Sequence, residues 1–166
     1  MQINKNMYCL IITMDINVLG ALLKRVNNFN VKSFDGRVIF QKTVYFMQEF
    51  SVDLGYDFNW YVAGPYSSDL SGDGFKLQIV YNKSPNFEFA ESNLKEEFNK
   101  FMEFINPIKN DRRKLELYSS IHFLLKLGLN GEKIKKFVGS KKEPFSEKEI
   151  EDGIEYLKSV QLLWQK

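Results

Sequence analysis

The fold is decided by the stretch Phe58-Asn59-Trp60-Tyr61-Val62-Ala63-Gly64-Pro65-Tyr66-Ser67-Ser68-Asp69-Leu70. In its first half and just before it, apolar side chains occupy every second position: Tyr56, Phe58, Trp60 and Val62. This alternation is typical of a half-buried strand. Gly64 then breaks the strand, and Pro65 suits the first turn of a helix because its φ angle is fixed and it has no N–H. We therefore predict a strand, a turn and a helix in direct succession.

The helix after the turn is predicted over residues 66–81. Gly72 and Gly74 weaken it, since each costs about 1 kcal/mol relative to alanine inside a helix. We therefore expect this helix to be short, kinked or split. Farther along, the Phe-Glu-Phe alternation within residues 86–90 predicts a second short strand. The small β element is thus expected around residues 56–63 and 86–90.

The helix before the turn is predicted from Arg37 to Val52, after a polar loop over residues 27–36. It is apolar nearly all round, which indicates burial on most sides. Its polar exceptions, Gln41, Tyr45 and Gln48, fall on one face because they are spaced by four and three residues. This face is either a solvated stripe or a polar wall directed at a ligand or partner.

The rest of the chain predicts further helices with clear start signals. Asp15 and Asp111 can each cap a helix, and Ser146 with Glu149 makes a capping box. The expected helices cover residues 15–26, 94–105, 111–128, 132–138 and 146–164. The predicted fold class is therefore mainly α (α+β), a multi-helix single domain with a two- or three-stranded antiparallel β element.

The composition fits one helical domain over residues 14–166. A chain of 166 residues can bury a hydrophobic core large enough to be stable without disulfides or bound metal ions. Its fifteen Phe and eight Tyr predict a core filled with large rings, and rings left at the surface are candidates for a partner interface. Because Met14 and Asp15 resemble a natural start with a helix cap, we interpret residues 1–13 as a loosely attached, flexible extension. Whether Met1 or Met14 is the native start stays open.

Single residues limit the classes of chemistry. Cys9 is the only cysteine and His122 the only histidine, which excludes an internal disulfide and disfavours a zinc site or a Ser-His-Asp triad. The longest apolar run, residues 7–12, is too short to span a bilayer and lacks the features of a secretory signal. These observations predict a cytoplasmic protein without membrane contact.

No pattern points to catalysis. Residues 71–76 lack the order of a phosphate-binding loop, and the carboxylates of Glu96 and Glu97 lie beside lysines on a solvated helix face. His122 lies in an apolar helix and is best interpreted as a packed residue. We therefore predict no catalytic, cofactor-binding or metal-binding residue and no cofactor. An enzymatic alternative needs four side chains to converge in one pocket, those of Gln41, Lys42, Tyr45 and Ser67.

Positive charge is concentrated in residues 109–142. This segment has ten Lys and Arg against three acidic residues, a net charge of +7, whereas the whole chain carries +2. Such a concentration favours contact with nucleic-acid phosphates, and lysines on helix surfaces also serve solubility alone. The candidate contacts are Arg112, Arg113, Lys114, Lys133, Lys135, Lys136, Lys141 and Lys142.

The junction around the Gly-Pro turn supplies a second candidate surface. Aromatic rings beside amide and hydroxyl groups are good anchors for a protein partner. The alternative is that these residues serve only the fold: the glycine forms the turn, the proline starts the helix and the tyrosine packs in the core. The candidate partner-binding residues are Gln41, Lys42, Tyr45, Trp60, Gly64, Pro65, Tyr66 and Ser67.

Several motifs resemble the uncharacterised YwgA-like prokaryotic family. Residues 36–46, GRVIFQKTVYF, are similar to its R-hydrophobic-x-LQK-hydrophobic-x-Y helix, and residues 58–70 to its F-x-x-Y-x-x-GPYS-x-x-L segment. Residues 115–121, LELYSSI, resemble its LE-x-x-(A/S)S-hydrophobic helix, and residues 142–146 its K-x-P-x-F type turn. The order of these motifs over residues 15–163 is more specific than any one of them.

The first two motifs also resemble, more distantly, the SocA-like or Panacea antitoxin domain, with its LQKLLYY helix and GPV turn. That resemblance implies another protein as partner, toxin-like or regulatory, and implies no catalytic residue. The matching positions are Gln41, Lys42, Tyr45, Gly64, Pro65, Tyr66 and Ser67. The chain departs from the pattern at Phe40, which replaces the usual Leu, and at residues 72–74, which interrupt the helix after the turn. The oligomeric state stays open.

Overall fold

A computed structural model describes residues 15–86, 88–141 and 143–162. Two helices pack along each other at its centre, α2 (Phe34–Glu49) and α5 (Arg112–Lys126). The other elements surround this pair. They are α1 (Ile16–Val26), β1 (Asn59–Tyr61), β2 (Gly64–Tyr66), α3 (Ser68–Val80), a 3₁₀ turn (Tyr81–Lys83), α4 (Ser92–Ile105), α6 (Gly131–Gly139) and α7 (Glu147–Ser159).

Helix α2 is buried on most sides, as its sequence predicts. It begins at Phe34 rather than after Gly36, because the Ser33 side chain caps it by accepting a hydrogen bond from the Gly36 N–H. The loop predicted up to residue 36 is therefore shorter. The early start adds one turn to α2 and leaves Phe34 exposed at its end.

The core is filled with rings, as the composition predicts. Phe46 meets Phe104 with ring centroids 4.7 Å apart and a T-shaped geometry, and Phe50 lies 5.3 Å from Phe104 and 6.1 Å from Phe101. Such offset and edge contacts stabilise aromatic pairs beyond simple area burial. They join α2 to α4 and leave the opposite side of α2 for the hairpin.

The two strands form a hairpin, which confirms the small two-stranded antiparallel element of a mainly α fold. Asn59 pairs with Tyr66 and Tyr61 with Gly64. The predicted turn at Gly64 and helix start at Pro65 are therefore wrong: both residues lie in β2, the turn is at residues 62–63, and the helix begins only at Ser68. The partner of the first strand is thus β2, directly after it, and not residues 86–90, where the described residues are outside any strand. The reason is local: a two-residue connection closes a very short loop, and the entropy cost of closure grows with loop length.

Helix α3 is continuous and not split by its glycines. Ser67 caps it, and its hydroxyl accepts a hydrogen bond from the Leu70 N–H. Gly74 lies so close to α2 that a Cβ there would be 2.5 Å from the Phe40 ring. Gly72 has open space around it. The packing of Gly74 on Phe40 offsets the low helix propensity that the sequence correctly indicates.

The other start signals are confirmed. Asp15 and Asp111 cap α1 and α5, and Ser146 with Glu149 forms the capping box of α7. The predicted extension over residues 1–13 and the choice between Met1 and Met14 lie outside the described residues. Within the described ranges, no helix combines the length and apolar character that crossing a membrane requires.

Candidate partner-binding groove beside the hairpin

Gln41 fixes the chain just after the hairpin. Its Nε2 donates to the Ser67 carbonyl at 2.8 Å, and its Oε1 accepts from the Ser67 N–H at 2.9 Å. Both residues are buried. The side-chain amide therefore binds Ser67 as a strand partner would, and it satisfies two backbone groups that are expensive to bury unpaired.

Gln48 binds the backbone just before the hairpin in the same way. Its Nε2 donates to the Tyr56 carbonyl and its Oε1 accepts from the Tyr56 N–H, both at 2.9 Å. Together Gln41 and Gln48 hold both ends of residues 56–67 against one face of α2. The interpretation of this face as a solvated stripe is therefore wrong, since the two glutamine amides are bound to the chain's own backbone and the Tyr45 hydroxyl to the side chain of His122.

Lys42 holds the hairpin itself. Its side chain is only 2% exposed, and Nζ donates to the carbonyl of Pro65. Burial, aided by the nearby charge of Lys141 and opposed by Glu116, lowers the pKa of Lys42 to about 7. The amine is thus close to half-protonated at neutral pH, whereas an exposed lysine is fully charged.

Gly64 brings β2 into contact with α5. Its φ is +90°, and a Cβ added there would lie 2.4 Å from the Ser120 Oγ. Beside it, the buried carboxylate of Glu116 binds Lys141 Nζ at 2.9 Å and Arg112 Nη2 at 3.2 Å. These two cations supply the charge compensation that a buried carboxylate needs.

Tyr45 faces the interior rather than the hairpin surface. Its hydroxyl lies 2.7 Å from His122 Nδ1, and both residues are buried. Burial, reinforced by the charge of Glu49, raises the pKa of Tyr45 well above its usual range. The neutral phenol and the neutral imidazole therefore share this hydrogen bond, which agrees with the prediction that His122 is a packed residue.

His122 should make stability sensitive to mild acid. Burial is the main cause that lowers its pKa below the ordinary 6.5, against an opposing effect of Glu49. As the pH falls, His122 therefore binds a proton in the unfolded chain before it does so in the folded chain. The stability that the buried neutral imidazole contributes is complete above the pKa of the unfolded chain and is lost as the pH falls below it. Urea unfolding between about pH 7 and about pH 5.5 should show a smaller loss of stability for His122→Gln than for wild type. Equal slopes would contradict this assignment.

An open groove lies on the outer side of this scaffold. It has a volume of about 370 Å³ and is bounded by the start of α2, the hairpin turn and α3. We call it the aromatic groove. Its lining residues are Val31, Phe34, Arg37, Val38, Phe40, Gln41, Lys42, Tyr61, Val62, Ala63, Gly64, Tyr66, Ser71 and Phe75.

The rim of the aromatic groove exposes large apolar side chains. Phe34, Tyr61, Val62 and Phe75 are each between 52% and 76% exposed. The sequence analysis selected none of them, although the alternation along the first strand places Tyr61 opposite Trp60 and so on the outer face. No sequence pattern predicts the exposure of Phe34, because that exposure depends on where α2 begins.

The candidate junction residues divide into two groups. Most are buried: Gln41, Lys42, Tyr45, Gly64, Pro65 and Ser67. Of the α2 residues among them, Gln41 and Lys42 hold the hairpin in place, whereas Tyr45 bonds His122 in the interior. Trp60 and Tyr66 are half-buried. Tyr66 lines the aromatic groove, whereas Trp60 packs toward Phe123 and Phe137. The surface that a partner can reach is therefore the groove rim and Tyr66.

Many of the candidate nucleic-acid contacts are already paired with acids. Arg112 binds Glu143 and Arg113 binds Glu149. Further ion pairs join Lys114 to Asp111, Lys135 to Glu151 and Lys141 to Glu116. Lys133 and Lys136 are exposed on α6, and Lys142 lies outside the described residues. The charge that this segment presents to a polyanion is thus smaller than its sequence indicates.

The fold and the groove define the class: a mainly helical domain with a hairpin fixed to a central buried helix beside an open aromatic groove. No family model, curated protein or solved structure matches the chain. The YwgA-like resemblance and the more distant antitoxin resemblance therefore stay predictions that rest on the motifs themselves. Among the described residues, no group of His, Cys, Asp and Glu has an arrangement that could hold a metal ion.

Proposed function

We propose that this chain is a non-enzymatic protein-interaction module and that the aromatic groove is its contact surface. The observation that carries the proposal is the group of exposed rim side chains of Phe34, Tyr61, Val62 and Phe75 around one concave surface. Large apolar side chains gathered at a concavity are typical of binding sites, whereas single exposed ones are ordinary.

The floor of the groove is well suited to binding. The amide of Gln41 and the amine of Lys42 are each bound to the backbone beneath the rim. Docking of a partner therefore requires little ordering of the backbone that forms the groove. Such preorganisation lowers the free-energy cost of association. The same bonds leave these polar groups occupied, which favours binding over catalysis and weighs against the enzymatic alternative.

The motif resemblance gives the proposal its biological setting. An antitoxin-like or regulatory role in a prokaryotic cytoplasm requires a surface that recognises another protein. Four of the seven matching motif residues line the groove, namely Gln41, Lys42, Gly64 and Tyr66. Nucleic-acid binding by residues 109–142 stays an untested alternative. Titration of a fluorescent duplex at low and high salt would assess it, since phosphate contacts give a steep salt dependence.

The groove predicts a specific pattern of peptide binding. Selection from a displayed library of random peptides, each about 12 residues long, should enrich segments with clustered apolar side chains. Phe75→Ser should weaken binding of the selected peptides by about tenfold or more, since truncation of a central aromatic anchor costs about 2 kcal/mol. Fluorescence anisotropy with labelled peptides measures the change.

Leu127→Ser is the matched control for this experiment. Leu127 is 60% exposed, similar to Phe75, but it follows α5 and does not line the groove. Both substitutions replace an exposed side chain, so neither should alter the thermal midpoint appreciably. A selection that enriches no peptide, or peptides that bind both variants equally, would exclude the groove as the contact surface.

A further inference from the structure

The charge of the aromatic groove is one-sided. Arg37 lines it as a full cation, beside the buried and partly neutral amine of Lys42, and none of its lining residues within the described ranges is Asp or Glu. An apolar groove that contains a cation and no acidic side chain favours an occupant with an anionic group. A cationic occupant would be repelled, whereas an opposite charge on the occupant stabilises the cation of the groove.

Arg37 is oriented toward such a role by the backbone. Its Nη1 donates to the carbonyls of Val31 at 3.3 Å and Lys32 at 3.4 Å. Both bonds use the same nitrogen. A guanidinium has five N–H donors in a planar fork, so Arg37 keeps donors for a carboxylate while two carbonyls restrain its position.

Two acids near the groove, Asp35 and Asp73, have cationic or hydroxyl partners outside it. Asp35 lies 3.6 Å from Arg112 Nε. On α3, Asp73 binds Lys76 Nζ at 2.9 Å and accepts a hydrogen bond from the Tyr56 hydroxyl at 3.0 Å. Asp69 on the same helix is exposed to solvent and is not among the residues that line the groove. Within the described residues, Arg37 itself has no carboxylate in ion-pair contact.

We infer that the segment recognised by the aromatic groove is an acidic, apolar one: an apolar side chain seated among Phe34, Tyr61 and Phe75, next to an Asp or Glu that pairs with Arg37. This inference rests on the proposed function. It specifies the chemistry of the partner, because a bidentate arginine–carboxylate pair in a partly desolvated groove adds directional selectivity to an apolar contact.

A double-mutant cycle with synthetic peptides tests the inference. The two peptides are a library-selected sequence with an acidic residue and the same sequence with that residue changed to its amide. Both have an amidated C-terminus, which removes the terminal carboxylate as an alternative source of charge. Arg37→Gln should weaken binding of the acidic peptide by about tenfold and leave binding of the amide peptide almost unchanged.

Lys133→Gln serves as the control for net charge, because Lys133 is exposed on α6 and away from the groove lining. Equal weakening of both peptides by Arg37→Gln would overturn the inference, and so would selected peptides without Asp or Glu. Peptides that depend on Phe75 but not on Arg37 would leave the proposed function standing while this inference fails.

A second copy of the chain is the competing occupant. Sedimentation of the wild-type protein alone distinguishes it: a dimer that Phe75→Ser dissociates would assign the groove to self-association and overturn the inference. A monomer at the concentrations of the peptide titration supports a separate partner.

Discussion

Gly64→Ala should lower the free energy of unfolding by about 2–4 kcal/mol, since a side chain at this backbone geometry is strained and also collides with a neighbour. The φ of Gly64 is +90°, and its Cβ would lie 2.4 Å from the Ser120 Oγ on α5. The hairpin can move away only by stretching the bonds that Gln41 and Lys42 make to it. Urea denaturation followed by tryptophan fluorescence measures the loss.

Gly128→Ala separates the two contributions. Gly128 also has a positive φ, +81°, but a Cβ there meets nothing within 4 Å. Its substitution should therefore cost only the backbone strain, about 1 kcal/mol. Removal of the hydroxyl in the double variant Gly64→Ala/Ser120→Ala should restore part of the stability. Equal losses at the two glycines would show that contact with Ser120 does not restrict position 64.

Stability should rise with pH between about 7 and 9.5 because of Lys42, by at most about 1.4 kcal/mol per pH unit. The pKa of Lys42 is lowered to about 7, chiefly by burial, from the 10.5 that the unfolded chain retains. Between these two values the unfolded state binds more protons than the folded state, so raising the pH favours folding. The effect is complete only above the unfolded pKa.

Lys42→Met should remove most of this slope, because methionine fills a similar volume without a titrating group. Lys133→Met is the control, since Lys133 is exposed and its replacement should keep the wild-type slope. Chemical denaturation at three pH values within this window gives the slopes. Parallel curves for wild type and Lys42→Met would contradict the assignment of the slope to Lys42.

Local signals predicted the helices well. Asp15, Asp111 and Ser146 mark three helix starts correctly because a cap depends on residues two or three positions away. The burial of α2 also follows from its own composition. The error at the second strand has the opposite cause: a Phe-Glu-Phe alternation indicates strand propensity, but pairing depends on which segment can reach β1.

The candidate site was identified only in part. Gln41 and Lys42 were correctly predicted as neighbours of residues 58–70, but sequence could not show that their polar atoms would be occupied by the backbone of Ser67 and Pro65. The exposed rim was missed because exposure depends on how α2, α3 and the hairpin are arranged. Phe34 and Phe75 are separated by about 40 positions in the chain, and no local pattern relates them.

The sequence by itself thus determined the helical class, three helix caps and the first strand within residues 58–70, because each depends on contacts within a few residues. It did not show that Gly64–Tyr66 is a second strand, because that depends on pairing with β1. Tertiary structure alone decided the hydrogen bonds from α2 to both ends of the hairpin, the contact of Gly64 with Ser120 and the open aromatic groove. These features join segments distant in sequence, and their energies come from burial and pairing that exist only after those segments have met.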